Sequence, residues 1–401
     1  MGSNSGLKAV KVADRVWWVG AIDWGIRDFH GYATSRGSTY NAYLVLADKV
    51  TLVDTVKAPF REEMLARVAS VIEPGRIDYV VSNHSEMDHS GCLPEVIARV
   101  QPEKVFASPM GVKALRAHFA LGGVEPVGTG DTLSLGDMTL HFLETRMLHW
   151  PDSMVSYLAE KRLLFSQDGF GMHLASVERF ADELDPAVLY QEAAKYYANI
   201  LLPYSGLIPR LFDKVRELEL RIEVLCPDHG PVWRGRLDIM DWYARWAEQR
   251  PTMKAVVAYA TMWGSTARMA QSLADGLLEG GATARLLPLP PAHRSDVMTE
   301  LLEAGALLVG SPTLNNGIFP TVADLLTYAR GLKPRNLLGQ AFGSHGWSGE
   351  ACKQVQAYFA DMGIETVGEA VRVNYVPTAA DLTACRELGR QVAARMKERA
   401  G

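Results

Sequence analysis

Short stretches of alternating apolar and polar residues run through the first half of the chain. Residues 15–19 follow this period-two pattern, and the stretches 40–46 and 49–54 flank Ala47-Asp48 like a hairpin. A helical pattern over 59–72 leads into an apolar run at 77–82, which reads as a buried strand. More short strands are expected at 104–107, 131–135, 138–144, 153–158 and 162–166, punctuated by Gly or Asp. Helical spacing returns at 185–201 and 207–217, and a strand follows at 221–226. Strands paired as hairpins and then interleaved with helices predict two packed sheets with helices outside.

The second half alternates strand and helix regularly. Strands are expected at 254–259, 283–287, 306–309, 340–342 and 366–373. A helix running to Leu278 and others at 296–304, 321–331, 349–362 and 379–399 separate or follow them. That rhythm predicts a doubly wound parallel sheet. The division is expected at Arg250-Pro251, just after an aromatic helix at 240–246, giving domains of residues 1–250 and 251–401.

Composition adds exclusions. With 401 residues, 48% of them hydrophobic, the chain can bury two ordinary cores. A net charge of −5 gives no support to a nucleic-acid partner. There is no apolar run of membrane-spanning length and no leader-like apolar core at the start, so a cytoplasmic protein is expected. Cys92, Cys226, Cys352 and Cys385 form no C-x-x-C pair, which excludes zinc ribbons, rubredoxin-type iron centres and thioredoxin-type dithiols. They read as free thiols.

Chemistry concentrates at strand ends. His84, Glu86, Asp88 and His89 crowd the loop after the strand at 77–82. In an extended loop alternate side chains share a side, so His84, Glu86 and Asp88 can converge. His149, Asp168 and His229 each follow another expected strand. Four imidazoles and three carboxylates without a thiolate suit iron, manganese or zinc, and the two carboxylates of the first loop favour iron. Asp168 is the best bridge between two metals, because a carboxylate has two oxygens to share.

Three loops of the second half also follow strand ends. Thr261-Met262-Trp263-Gly264-Ser265-Thr266 offers hydroxyls, a glycine and helix-start N–H groups to a phosphate, with no P-loop lysine and no G-x-G-x-x-G. Ser311-Pro312-Thr313-Leu314-Asn315-Asn316-Gly317 and Gly343-Ser344-His345-Gly346-Trp347-Ser348-Gly349 can present backbone groups to the polar edge of a flavin, and Trp347 can cover a ring face.

The pattern H-x-E-x-D-H followed by His, Asp and His resembles the flavodiiron proteins, a branch of the metallo-β-lactamase superfamily, over about residues 10–400. Hydrolases of that superfamily typically carry a second His where this chain has Glu86. The resemblance implies an α/β chain: an N-terminal metallo-β-lactamase-like αββα sandwich, then a C-terminal flavodoxin-like doubly wound parallel sheet. It implies His84, Glu86, His149 and Asp168 on one iron, and Asp88, His89, Asp168 and His229 on the other. Some relatives leave the residue matching His89 off the metal. FMN is expected on the three loops, where His345 and Ser348 stand in place of an aromatic residue and a glycine. His30, Tyr196 and Tyr197 resemble family segments lining the distal pocket.

Reduced FMN and two ferrous ions together hold the four electrons that take O2 to water; two of them take two NO to N2O. The leading expectation is O2 reduction, with NO as a second or competing substrate. With no fused rubredoxin, electrons must come from a separate, rubredoxin-like protein. A head-to-tail homodimer, or a dimer of such dimers, is expected. Two other readings stay open: a zinc hydrolase with an attached flavodoxin, against which Glu86 argues, and an electron carrier whose metal half is structural.

Overall fold

The structure, a computed structural model, describes residues 6–400. Contacts divide the chain into two compact units. One runs to Phe29, resumes at Thr34–Tyr196 and ends with Leu207–Tyr243; the other takes His30–Ala33, Tyr197–Gly206 and the described residues from Ala244 on.

The first unit holds two large sheets. Seven strands lie in the order Val10–Ala13, Val16–Trp18, Tyr43–Val45, Thr51–Val53, Tyr79–Ser82, Lys104–Ala107, Val124–Pro126. Six more follow in chain order from Thr132–Ser134 and Thr139–Glu144 through Met154–Leu158 and Leu163–Gln167 to Val224–Pro227 and Trp233–Arg234. Period-two patterning decides which face meets what. Tyr43, Val45, Val53, Val81 and Phe106 share a core with Phe142, Leu158, Phe165 and Cys226 of the other sheet. Their neighbours Leu44, Leu52, Val80 and Val105 face the opposite way, onto Met64, Val68, Leu93, Val96 and Leu115 of three helices.

One of those helices, Pro109–Phe119, is absent from the sequence-based expectation. Its start is written in Ser108-Pro109: the Ser108 hydroxyl accepts from Gly111 N–H at 3.0 Å, and proline suits the first helical turn. The helix expected over 185–201 is α-helical only over Pro186–Tyr196; Tyr197–Leu201 is a π turn and Leu202–Leu207 is 3₁₀. Pro203 lacks an N–H and crowds the residue before it, so the α pattern cannot continue.

The second unit is the expected parallel sheet, ordered Thr283–Pro288, Lys254–Tyr259, Ala306–Gly310, Leu338–His345. The strand expected at 366–373 is two pieces, Glu365–Thr366 and Val371–Asn374, both paired with Leu338–His345. Gly368, at φ +70°, turns the chain between them. The strand order is 2-1-3-4-5, so the C-terminal ends of Lys254–Tyr259 and Ala306–Gly310 flank a crevice where connections leave in opposite directions. No helix among the described residues is long and apolar enough to cross a membrane.

All four cysteines are buried free thiols. Burial pushes the Cys352 thiol up to about 11 and the Cys385 thiol to about 12, and raises Cys92 and Cys226 as well. Thiolate, the reactive form, is therefore scarce at neutral pH. A thiol-reactive disulfide reagent at pH 8 should label none of them quickly in the native protein and all four after denaturation. Fast labelling of the native chain would contradict this burial.

Candidate metal centre and flavin cleft

The first ligand loop is anchored by Asn83, immediately after the strand Tyr79–Ser82. Its N–H and its side-chain amide donate to the two oxygens of buried Asp54, both at 2.7 Å. Its side-chain oxygen accepts from Ser156 at 2.6 Å and its carbonyl from Met154 N–H at 2.9 Å. With Asn83 so fixed, His84 and Glu86 follow in extended chain, and the short helix Met87–Ser90 turns Asp88 and His89 in behind them.

The seven expected residues converge, and they converge as two nests. Asp168 Oδ2 lies 2.8 Å from His149 Nε2 and 3.3 Å from His84 Nε2, and His149 Nε2 is 3.1 Å from Glu86 Oε2. The other oxygen, Oδ1, lies 3.4 Å from His229 Nε2 and 3.8 Å from His89 Nε2; those nitrogens are 3.2 and 3.4 Å from Asp88 Oδ2. Asp168 thus turns one oxygen to each nest.

This arrangement is short of positive charge. His229 Nδ1 donates to Thr39 O at 2.6 Å, so its Nε2 is a bare lone pair in the neutral ring, only 3.2 Å from His89 Nε2. Both nitrogens of His84, both oxygens of Asp88 and Asp168 Oδ1 lie buried without a hydrogen bond. Burial opposes charge on His84, yet Asp168, Asp228 and Asp54 outweigh it and hold its pKa well above the usual value. Burial likewise opposes the Asp168 carboxylate, but His84 and His149 hold it ionised, well below the usual range. Without a metal, protons on the imidazoles must supply the missing charge.

Residues that the sequence reading passed over surround the nests. Asp228, fully buried, puts Oδ2 3.5 Å from His84 Nδ1 and 3.8 Å from His89 Nδ1. Its place directly before His229 was the available signal. His173, also fully buried, meets Ser38 Oγ at 2.8 Å and packs on the His229 ring at 4.6 Å. Burial and the neighbouring His229 keep it neutral. Nothing in its local sequence marks it.

The expected pocket residues are placed differently from one another. Tyr196 is buried against His173 and His229, with ring centroids 5.1 and 6.0 Å away, and burial with the nearby carboxylates keeps its hydroxyl protonated. Tyr197 turns elsewhere, bonding Ser205 at 3.0 Å and packing on Trp246. His30 is exposed; in its segment Phe29 is the residue that packs on His173, at 4.7 Å.

In the second unit, Met262, Trp263, Ser265, Pro312, Thr313, Ser344, His345 and Gly346 line one cleft of about 260 Å³, with Tyr375 and Val376 added from a fourth loop. That loop was missed because it opens on Asn374-Tyr375, with no Gly or hydroxyl run to announce it. Thr261 Oγ1 accepts from Gly264 N–H at 3.1 Å, and Gly264 sits at φ +84°, shaping the turn before the helix Ser265–Glu279. Thr266 and Ser344 hydroxyls meet at 3.3 Å. Ser311 Oγ accepts from Phe319 N–H at 3.0 Å and holds its loop. Leu314, Asn315 and Gly317 instead line a neighbouring groove of about 650 Å³. Asn316 accepts from Ser348 at 3.0 Å, and Trp347 stands 89% exposed beside the cleft.

Residues 39–230 match the model of the ODP family of β-lactamases and residues 257–389 that of flavodoxin. A nitric oxide reductase of Moorella thermoacetica is 45% identical over 97% of this chain and 99% of its own. The solved rubredoxin oxygen:oxidoreductase of Desulfovibrio gigas is also 45% identical, with a TM-score of 0.96 over 98% of this chain and 99% of its own. The flavodiiron protein of Giardia intestinalis is 32% identical, with a TM-score of 0.94 over 98% of both chains. The chain is a flavodiiron protein. The features above fit what that family demands: two nests of hard nitrogen and oxygen donors around a shared carboxylate suit two irons, and an open cleft at a helix start with aromatic walls suits a flavin phosphate and ring.

If Asp168 serves both nests, Asp168→Ala should lower the iron content of this flavodiiron protein from about two per chain to near zero, whereas His149→Ala should leave about one. Metal analysis of purified, FMN-replete protein reads the difference. Equal losses in the two variants would contradict the shared carboxylate.

Proposed function

We propose that this flavodiiron protein reduces O2 to water with electrons passed from FMN to a pair of non-haem irons, and that it also reduces NO to N2O. The observation that carries the proposal is the Asp168 carboxylate turned toward two separate nests. Glu86 stands where a hydrolase would place another imidazole. Its hard anionic oxygen favours a redox metal pair over a hydrolytic zinc site. When bound, the irons and the flavin supply the four electrons that O2 reduction needs.

The chain's own residues do the rest. His84, Glu86, His149 and Asp168 Oδ2 would hold one iron; Asp88, His89, His229 and Asp168 Oδ1 the other. The Thr39 carbonyl fixes the His229 tautomer, so that its Nε2 faces inward. Tyr196 keeps a proton on its hydroxyl beside neutral His173 and would be available to donate a hydrogen bond to the substrate's oxygen. His30, in a segment that resembles the family's distal-pocket lining, would donate a proton or hydrogen bond there; Tyr197, bonded to Ser205, would serve as packing. Thr261, Ser265, Thr266 and Ser344 would hold the FMN phosphate, and the loops at Ser311–Gly317 and His345–Ser348, with Met262, Trp263 and Trp347, would hold its ring.

A cytoplasmic location and a separate rubredoxin-like donor complete the proposal; the 45% identity to the rubredoxin–oxygen oxidoreductase of Megalodesulfovibrio gigas supports the donor. The two matched stretches end at 230 and begin at 257, and the proposed domain division at Arg250-Pro251 falls in that interval. Apolar side chains stand exposed at both sites: Met87 and Met147 beside the ligand loops, Trp263, Trp347, Tyr375 and Val376 at the cleft. Exposed apolar groups of this kind mark interfaces. A head-to-tail pair of chains covers both sets and brings one chain's flavin to its partner's irons.

Iron- and FMN-replete protein, reduced anaerobically, should reoxidise rapidly on adding O2 and also on adding NO, with uptake of about one O2 per four stored electrons. Reoxidation by neither gas would overturn the proposal; two zincs per chain with ester or lactam hydrolysis would replace it. Trp347→Glu should raise the dimer dissociation constant at least tenfold and slow flavin-to-iron transfer in proportion to the monomer formed. A monomer that turns over at full rate would rule out the head-to-tail arrangement.

A further inference from the structure

Gln167 is the residue before Asp168, at the end of the strand Leu163–Gln167, and it departs from strand geometry in two ways. Pairing with Val224–Pro227 slips between Phe165 and Gln167, the signature of a bulge. Gln167 also has φ +48°, a left-handed conformation uncommon outside glycine. A bulge re-aims the next side chain, here Asp168, and the left-handed residue holds that change of direction.

The Gln167 side chain is buried, and both ends of its amide are used. Its Oε1 accepts from Asp168 N–H at 2.7 Å, and its Nε2 donates to the carbonyl of Leu148. Leu148 precedes His149, whose Nε2 returns to Asp168 Oδ2 at 2.8 Å. The amide therefore closes a ring: Asp168 backbone, Gln167 side chain, Leu148 carbonyl, His149 ring, Asp168 side chain. The other nest is held by different groups. His89 is fixed through its carbonyl by the Thr55 N–H and hydroxyl, and His229 by Thr39. The Gln167 main chain also reaches toward His229, its carbonyl accepting from Asp228 N–H at 2.9 Å, but that bond survives any change of side chain.

We propose that Gln167 is a positioning residue chiefly for one half of the metal centre: it sets the placement of His149 against Asp168, and so the affinity of the nest containing His84, Glu86 and His149. This rests on the di-iron reading and adds an asymmetry to it. A side chain behind the ligands is worth roughly tenfold to a hundredfold in metal affinity.

The test titrates iron-depleted, FMN-replete protein with ferrous ion against a chelator. Native protein is compared with Gln167→Gly, which suits the left-handed backbone and removes the amide, and with Gln167→Glu, which keeps an acceptor for Asp168 N–H but loses the donor to Leu148. In Gln167→Glu one iron should bind at least tenfold more weakly while the other stays within threefold of native; Gln167→Gly, which also frees the shared Asp168, should weaken the first iron further and the second to a lesser degree. Mixed-valence electron paramagnetic resonance should lose the coupled signal at iron levels where native protein shows it. If Gln167→Gly fails to fold, Gln167→Glu alone decides. Native-like binding of both irons, or equal weakening of both, would overturn the proposal. Failure of the native protein itself to bind two irons would overturn the di-iron reading and this inference together.

Discussion

One carboxylate with two oxygens organises the first unit. Asp168 is buried at the end of a strand, and each of its oxygens meets imidazoles from different parts of the chain. Burying so many acids beside one another is costly unless cations offset them. Asp54 and Asp228 sharpen the imbalance: both are buried, and burial together with the surrounding acids pushes Asp228 well above the carboxylate range. Two metal cations are the economical solution, because they balance the carboxylates and leave the histidines neutral with their Nε2 lone pairs directed inward. The ligand loops, the Asn83 anchor and the strained backbone at Gln167 all serve that placement.

The flavin half follows a different logic. Its cleft is neutral and open, built from hydroxyls, helix-start N–H groups and exposed aromatic rings rather than buried charge. A phosphate there would be held by hydrogen bonds and a helix end, without a lysine. An open cleft would leave a bound ring accessible, which suits the proposed passage of electrons from a donor protein to the irons. The same exposure leaves an apolar rim around the cleft, which the proposed pairing of chains would cover.

Much of this was legible in the sequence because strand ends carry chemistry in both halves. His84, Glu86, Asp88, His89, His149, Asp168 and His229 were all readable as residues following apolar runs, and they do meet. The loops bearing Ser265, Thr313 and Ser344 were readable in the same way. What escaped was whatever lacks a local signature. His173 reaches the nests only through tertiary packing, Asp228 hid beside a stronger candidate, and Tyr375 sits after a strand that the pattern ran together with its neighbour across Gly368. Of the paired tyrosines, sequence alone could not say that Tyr196 faces the histidines and Tyr197 turns away, because the α-helix gives out between them.

The central claim is that Asp168 lies between two redox-active irons. Crystals of iron-loaded protein, with diffraction collected on both sides of the iron and zinc absorption edges, test it most directly. Two anomalous peaks at the iron edge, about 3.5–4 Å apart and each beside one Asp168 oxygen, are the predicted result. A single peak, or peaks that appear only at the zinc edge, would contradict the account.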